Sequence, residues 1–155
     1  MATPGSIVVG TDGSPRAERA VHRAGELASA LGAKVHVVSG YRPGPVGVWT
    51  TAASGALAPT EIHDDGETRA LAQRCVDRAQ ERLRELGVAS EAHVFSGEPA
   101  EALIHVADAE AAQMIIVGNR GMTGARRVLG SVPNHVSHHA RCDVLIVPTD
   151  EPATA

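Results

Sequence analysis

The sequence has few aromatic side chains and almost no lysine. Only 2% of its 155 residues are aromatic, namely Tyr41, Trp49 and Phe95. These are too few to stack a run of nucleic-acid bases or to form a belt at a membrane interface. Thirteen arginines and one lysine, Lys34, stand against 18 acidic residues, which gives a net charge of −4. A protein that binds a phosphate backbone needs the opposite sign, so we expect no nucleic-acid partner.

The sequence also shows no targeting segment and no paired cysteines. Met1 to Ser6 contain neither the basic nor the apolar part of a secretory leader, and no apolar run approaches the ~20 residues of a membrane span. Cys75 and Cys142 lack a Cys-x-x-Cys spacing, so we expect buried thiols and neither a disulfide nor a zinc pair. These absences predict a cytoplasmic protein with no membrane partner.

The chain does contain a regular alternation of apolar runs and amphipathic stretches. A length near ~150 residues predicts one domain over 1–155, with a core at 6–148, a Gly/Pro-rich loop at 40–59 and a flexible tail at 149–155. The alternation predicts an α/β fold, a doubly wound parallel sheet of five strands with four helices on its two sides. The strands are expected at Ile7–Val9, Val35–Ser39, Ala92–Phe95, Met114–Val117 and Val144–Val147.

Periodicity and end signals predict where the helices lie. Ser14 and Pro15 are typical of a helix start and Gly32 of a helix end. The later helices are expected from Thr60 or beyond to Gly87, after Glu98, and from Ser131. The apolar stripe of the first helix is expected to be Ala17, Ala20, Val21, Ala24, Leu27, Ala28 and Leu31, and that of the second Leu71, Cys75, Ala79, Leu83 and Leu86.

Two glycine loops indicate where a ligand would bind. Gly10-Thr11-Asp12-Gly13 follows the first strand, and a loop from Gly118 to Gly124 follows the fourth. Ligands of open α/β sheets bind beyond the carboxyl ends of the strands. If both loops serve one site, the first and fourth strands are neighbours, which favours the strand order 3-2-1-4-5 over 2-1-3-4-5.

A third turn, Gly130-Ser131, is the strongest candidate for binding phosphate. It precedes the last helix, whose N-terminus attracts anions, and it follows Arg126 and Arg127. The alternative is that the glycines only end strands, Ser131 is an N-cap and the arginines are solvated. A Walker loop and a Gly-x-Gly-x-x-Gly fingerprint are both missing, so the predicted pocket is a nucleotide-like site of another kind.

Four segments of the sequence form one recognisable pattern. They are the opening Ile-Val-Val-Gly-Thr-Asp-Gly-Ser, then Val-Gly-Asn-Arg-Gly-Met-Thr-Gly, Leu-Gly-Ser-Val-Pro-Asn-His-Val, and the closing Cys-Asp-Val-Leu-Ile-Val-Pro. Together they resemble the universal stress protein (UspA) family, single-domain nucleotide-binding type. The resemblance extends from about Ser6 to Pro148. It implies the five-stranded 3-2-1-4-5 sheet that the loops favour independently.

The resemblance also implies a ligand, because members with Gly-x-x-Gly, nine residues and Gly-Ser/Thr bind ATP. It implies that Asp12 contacts the ribose or phosphate side, that Val38 lines the adenine, and that the start of the last helix donates to the phosphates. The full predicted nucleotide-binding set is Gly10, Thr11, Asp12, Gly13, Val38, Gly118, Asn119, Arg120, Gly121, Gly124, Arg127, Gly130, Ser131 and Val132.

The chain departs from that pattern in one respect, since eight residues and not nine separate Gly121 from Gly130. ATP, with or without Mg²⁺, is the first expectation, in a nucleotide-linked regulator of the stress response, and cyclic AMP or AMP is the alternative.

No catalytic signature is present, so we expect binding with at most weak ATPase activity. His135 and His139 share a helix face but lack a third ligand, which favours a surface or dimer contact over a metal site.

The resemblance implies a homodimer as well. In the 3-2-1-4-5 order the strand at 144–147 lies at the edge of the sheet, and an exposed apolar edge favours pairing with another chain. Family members commonly dimerise through this strand. A nucleotide-independent dimeric regulator or scaffold is therefore the second functional hypothesis.

Overall fold

The computed structural model describes residues 4–42, 65–119 and 130–149. Most of the predicted loop at 40–59 and the tail after Thr149 lie outside these residues. The elements are β1 (Ser6–Gly10), α1 (Pro15–Leu31), β2 (Lys34–Tyr41), α2 (Asp65–Glu85), β3 (Ser90–Ser96), α3 (Pro99–Ala109), β4 (Met114–Gly118), α4 (Ser131–His139) and β5 (Asp143–Val147).

The five strands of the described ranges form one parallel sheet in the order β3-β2-β1-β4-β5, which confirms the predicted topology. The order places β1 beside β4, with Ile7 opposite Met114 and Val9 opposite Ile116. The chain reverses its direction of travel across the sheet between these two strands. The loops after β1 and β4 therefore leave the same edge side by side, as a ligand site at that edge requires.

Side chains that alternate along each strand divide the core into two layers. Ile7, Val9 and Ile116 pack against α1 and α2 on one face. Val8 and Ile115 pack against α3 and α4 on the other. Each of these side chains is fully buried, which contributes about 1.5–3 kcal/mol to the stability of the fold. The central strands are thus apolar on both faces, as in other parallel sheets covered by helices.

The first helix begins and ends as the sequence predicts. The Ser14 hydroxyl oxygen accepts a hydrogen bond from the Ala17 amide at 3.1 Å, and Pro15 occupies the first turn. Gly32 ends the helix in the left-handed conformation at φ 63°, which glycine adopts without strain. Leu31 differs from the prediction, since it is 56% exposed and not part of the buried stripe.

The predicted stripe of α2 is wrong in its first half. Leu71 is 51% exposed and Cys75 is half-buried, whereas Ala72 and Val76 are buried. Ala79 and Leu83 belong to the predicted stripe and also to the buried stripe that the structure shows. The two stripes therefore differ only in the N-terminal turns of α2. Neighbouring helix positions differ by about 100°, and the branched Val76 packs on the sheet where the sequence pattern favours Cys75.

Both cysteines are free thiols, as predicted. They are only half-buried, whereas the sequence predicts buried thiols. None of the helices within the described ranges combines the length and the apolar character needed to cross a membrane.

Candidate functional site

A cleft opens at the carboxyl edge of the sheet, where β1 and β4 end. Its cavity volume is about 160 Å³. The residues that line it are Gly10, Thr11, Asp12, Ser14, Arg16, Ala17, Val38, Gly40, Pro99, Leu103, Val117, Gly118, Val132, Pro133 and Thr149. The structure thus brings residues from the predicted first loop, fourth strand and last helix into one cavity.

The loop after β1 is held by one backbone bond to β2 and by two of its own side chains. The Thr11 amide donates to the Val38 carbonyl at 2.9 Å, which ties the loop to β2. The Thr11 hydroxyl oxygen accepts from the Gly13 amide at 3.1 Å, and Asp12 Oδ1 accepts from the Ser14 amide at 2.9 Å. These bonds present the exposed Asp12 carboxylate at the mouth of the cleft, beside the N-terminus of α1.

The apolar wall of the cleft comes from three elements. Val38 is buried on β2, Val117 is buried on β4, and Leu103 projects from α3. A Cβ added at Gly10 would lie 3.3 Å from Leu103 Cδ1, so a glycine here leaves room between β1 and α3. The wall is aliphatic, as expected in a chain with so few rings.

The end of β4 is fixed to the end of β5 by Asn119. Asn119 Oδ1 accepts from the Thr149 amide at 2.8 Å and from the Thr149 hydroxyl at 2.7 Å. Arg19 Nη1 donates to the Thr149 carbonyl at 2.8 Å. Thr149 is only 3% exposed, although the sequence predicts that the flexible tail starts there. Asn119 is itself buried and does not line the cleft, so it supports the cleft through Thr149.

The start of α4 forms the polar end of the cleft. Gly130 is the N-cap, and no side chain caps this helix. Ser131 is the first helical residue, so the alternative that it serves as the N-cap is wrong. The first intrahelical bond among the described residues runs from the Asn134 amide to the Gly130 carbonyl at 3.0 Å. The preceding amides of Ser131 and Val132 therefore have no intrahelical acceptor.

Gly13 lies on the other side of its loop, facing α2. Its φ is +76°, and a Cβ added there would lie 2.6 Å from Cys75 Sγ. Burial raises the pKa of the Cys75 thiol, and the nearby Asp12 carboxylate raises it further. Gly13 therefore shapes the loop from below and does not line the cleft.

The structure sorts the predicted site residues into three groups. Those that line the cleft are Gly10, Thr11, Asp12, Val38, Gly118 and Val132. Those that lie next to it without lining it are Gly13, Asn119, Gly130 and Ser131. Those that lie outside the described residues are Arg120, Gly121, Gly124 and Arg127.

The sequence reasoning missed Arg16, Leu103 and Thr149. Arg16 adds the only arginine side chain among the cleft-lining residues that the structure describes. Its position one residue after Pro15, in the first turn of the helix that follows the glycine loop, was an available signal. Leu103 lies on α3, and nothing in the sequence connects it with β1. Thr149 is held at the site by its bonds to Asn119 and Arg19, which no sequence pattern predicts.

His135 and His139 form a group on the surface of α4. The two rings stack with centroids 4.2 Å apart, and His135 Nε2 lies 2.7 Å from Glu101 Oε1 on α3. His139 Nδ1 lies 2.8 Å from the His135 carbonyl oxygen. The pair therefore links α4 to α3 and to its own helix.

The chain is similar to proteins of one family over nearly its whole length. The family model described as universal stress protein family matches residues 5–148. Universal stress protein Rv1636 of Mycobacterium tuberculosis is 38% identical over 151 residues, 96% of this chain and 99% of that protein.

Solved structures agree with this result. A universal stress protein crystallised in complex with cAMP is 32% identical, with a TM-score of 0.72 over 96% of this chain and 100% of that one. The universal stress protein of Archaeoglobus fulgidus is 27% identical, with a TM-score of 0.71 over 94% and 98% of the two chains. The chain therefore belongs to the universal stress protein family.

Proposed function

We propose that the cleft at the carboxyl edge binds an adenine nucleotide. The observation that carries this proposal is the pairing of β1 with β4, which brings an aliphatic wall and two helix N-termini to one cavity. A base and a phosphate group need these two environments at opposite ends of the same molecule. The relative crystallised with cAMP, 32% identical to this chain, supports the assignment.

The lining residues suggest an orientation for the nucleotide. The adenine packs against Val38 and Leu103, where it displaces water from apolar surface. The Asp12 carboxylate accepts hydrogen bonds from the ribose hydroxyls. The phosphates point toward the start of α4, where the Ser131 and Val132 amides and a helix dipole of about +0.5 charge attract an anion. Arg16 provides a positive side chain on the same cleft.

Two nucleotides are candidates for the ligand of the cleft. ATP is the first, because the Gly-x-x-Gly spacing and the Gly130-Ser131 turn resemble those of ATP-binding members, and Mg²⁺ would then accompany the triphosphate. Cyclic AMP is the second, because the crystallised relative contains it and because the interval from Gly121 to Gly130 is one residue short. We propose that the bound nucleotide regulates the protein in a stress response and is hydrolysed weakly or not at all.

Titration calorimetry with ATP, ATP plus Mg²⁺, AMP and cAMP tests the proposal. We expect saturable binding of at least one nucleotide, and a loss of about tenfold or more in affinity on Asp12→Ala, because a hydrogen bond to a charged group contributes about 1.5–3 kcal/mol. Asp77→Ala, which removes an exposed carboxylate on α2 outside the cleft, is the matched control and should leave the affinity unchanged.

Two results would contradict the assignment. If the wild-type protein binds none of these ligands at millimolar concentration, the cleft is not a nucleotide site. If it binds but Asp12→Ala has the affinity of Asp77→Ala, the nucleotide lies elsewhere on the protein.

We also propose that the protein forms a homodimer through β5. The strand order places β5 at one edge of the sheet, and Val144, Leu145 and Ile146 are only half-buried. Such an edge presents unpaired backbone groups beside apolar side chains, which favours pairing with a second strand. This surface supports the second candidate function, a dimeric regulator or scaffold that assembles without nucleotide.

Light scattering after size exclusion checks the dimer. The wild-type protein should have twice the mass of one chain at micromolar concentration, with and without nucleotide. Val144→Lys should shift it toward the monomer, because two like charges would face each other across the paired edges. Ser96→Lys, at the exposed end of β3 on the opposite edge, should stay dimeric. A wild-type monomer, or equal behaviour of the two variants, would argue against edge pairing.

A further inference from the structure

Three side chains with metal-binding atoms meet near the amino ends of β2 and β3, away from the cleft. His36 lies opposite Glu91 in the parallel register, and His93 lies two residues further on the same face of β3. His36 Nδ1 is 3.0 Å from His93 Nε2, which in turn is 4.0 Å from Glu91 Oε1. One ligand atom from each residue fits within 4.8 Å of the other two.

We propose that His36, Glu91 and His93 bind a divalent transition-metal ion, with Zn²⁺ as the reference case. Two imidazoles and one carboxylate are a donor set that suits Zn²⁺ and its first-row neighbours and not Mg²⁺ or Ca²⁺. In a tetrahedral site with bonds of about 2.0–2.1 Å, ligand atoms lie roughly 3.4 Å apart. The observed separations of 3.0 and 4.0 Å lie on either side of that value, so small rotations of the exposed Glu91 and the partly exposed His93 would complete the site around the buried His36.

A second carboxylate lies next to the most buried of these ligands. His36 is 1% exposed, and its other ring nitrogen, Nε2, lies 3.8 Å from Glu110 Oε2 at the end of α3. Histidines that ligate metals usually donate their second ring N–H to such a carboxylate, which fixes the tautomer and turns the free nitrogen toward the ion. Here Glu110 lies on the Nε2 side of His36, while Nδ1 faces His93, so a closer approach of Glu110 would hold the Nε2 proton and leave Nδ1 for the ion.

The contacts that the ion would replace are weak ones. Lys34 Nζ is paired with Glu91, but both side chains are over 40% exposed, and such pairs contribute little in water. The contact between the two imidazoles is a single hydrogen bond, in which one ring nitrogen donates and the other accepts. The metal would thus take over Glu91 and the His36–His93 contact, leaving Lys34 in solvent.

A bound ion would cross-link neighbouring elements of the fold. Glu91 and His93 belong to the edge strand β3, His36 to β2, and Glu110 to the end of α3. An ion here would join three elements whose ends meet at the side of the domain opposite the nucleotide cleft. This inference does not depend on the proposed nucleotide function.

Titration calorimetry and thermal melting with ZnSO₄, on chelator-treated full-length protein without an affinity tag, test the site. We expect one Zn²⁺ per chain and an increase in Tm. His93→Gln should lower the affinity by more than about 100-fold, beyond the ~10–100-fold of an outer partner, and Glu91→Gln should lower it as well. Glu110→Gln should weaken Zn²⁺ binding by about 10–100-fold with little change in the metal-free Tm, which a merely structural role would not produce.

His135→Gln is the matched control, because that histidine has a neighbouring histidine and a glutamate but no third ligand within reach among the described residues. It should keep the wild-type affinity for Zn²⁺. The proposal is overturned if the wild-type protein shows no saturable binding, if His93→Gln binds as the wild type does, or if His93→Gln and His135→Gln lose equal affinity. His93 and Glu91 are not fully buried, so these variants are expected to fold.

Discussion

Gly13→Ala is expected to destabilise the protein by about 2–5 kcal/mol and to weaken nucleotide binding with it. Two costs combine at this position. A φ of +76° costs an alanine about 1–2 kcal/mol, and the new Cβ would lie 2.6 Å from Cys75 Sγ, an overlap that costs about 1–3 kcal/mol to relieve. Relief must move either α2 or the loop that carries Thr11 and Asp12, and movement of the loop displaces the lining of the cleft.

The chain offers a control that separates the two costs. Gly32 also has a positive φ, +63°, but an added Cβ there would contact nothing within 4 Å. Gly32→Ala should therefore show only the backbone cost of about 1–2 kcal/mol. Adding Cys75→Ala to Gly13→Ala removes the sulfur and should recover most of the difference between the two glycine variants.

Urea unfolding of the single variants, of Cys75→Ala and of the double variant measures these terms, and the nucleotide titration is repeated on those that stay folded. Equal losses in Gly13→Ala and Gly32→Ala would show that Cys75 does not crowd Gly13. A double variant that recovers stability but not affinity would show that the loop itself, and not its packing on α2, determines binding.

The fold could be predicted from the sequence because its signals are local. Ile7–Val9 and Met114–Val117 are continuous apolar runs, and Ser14 and Gly32 mark both ends of α1 by their own backbone chemistry. The strand order could be predicted as well, because two glycine loops serve one site only if β1 and β4 are neighbours. The buried stripe of α2 could not be predicted in its first turns. Leu71 and Ala72 fit the helical period almost equally, and only the packing of α2 on the sheet determines which of them is buried.

The residues that line the cleft were predicted only where a loop motif or the family resemblance marked them. Thr11, Asp12 and Gly118 follow strands in recognisable loops, whereas Leu103 reaches the cleft through the packing of α3 on β1. The pairing of His36 with Glu91 and His93 depends on the parallel register of β2 and β3 across more than fifty residues of intervening chain. Contacts of this kind are set by tertiary structure, and no spacing in one sequence carries them.

Asn119→Ala is expected to lower the free energy of unfolding by about 2–4 kcal/mol, because it leaves two buried donors without their acceptor. Both the amide and the hydroxyl of Thr149 donate to Asn119 Oδ1, and an unsatisfied buried group costs about 1–3 kcal/mol. A nucleotide contact made by Asn119 itself, as the family resemblance implies, would instead reduce affinity with little effect on stability. The ratio of the two losses therefore identifies the role of this side chain.

Thr149→Val provides the comparison, since it removes the hydroxyl but keeps the amide bond to Asn119. It should cost about 1 kcal/mol, and the double variant should cost less than the sum of the single changes, because the threonine hydroxyl has no acceptor once Asn119 is gone. Urea unfolding of the four proteins gives this coupling, and nucleotide titration gives the effect on the cleft. If the free energy of unfolding of Asn119→Ala lies within about 0.5 kcal/mol of the wild-type value while its nucleotide affinity falls, Asn119 contacts the ligand and the end of β4 is held by other bonds. We expect the opposite result, a large loss of stability. Any loss of affinity would then follow from it, because Thr149, which lines the cleft, is no longer fixed.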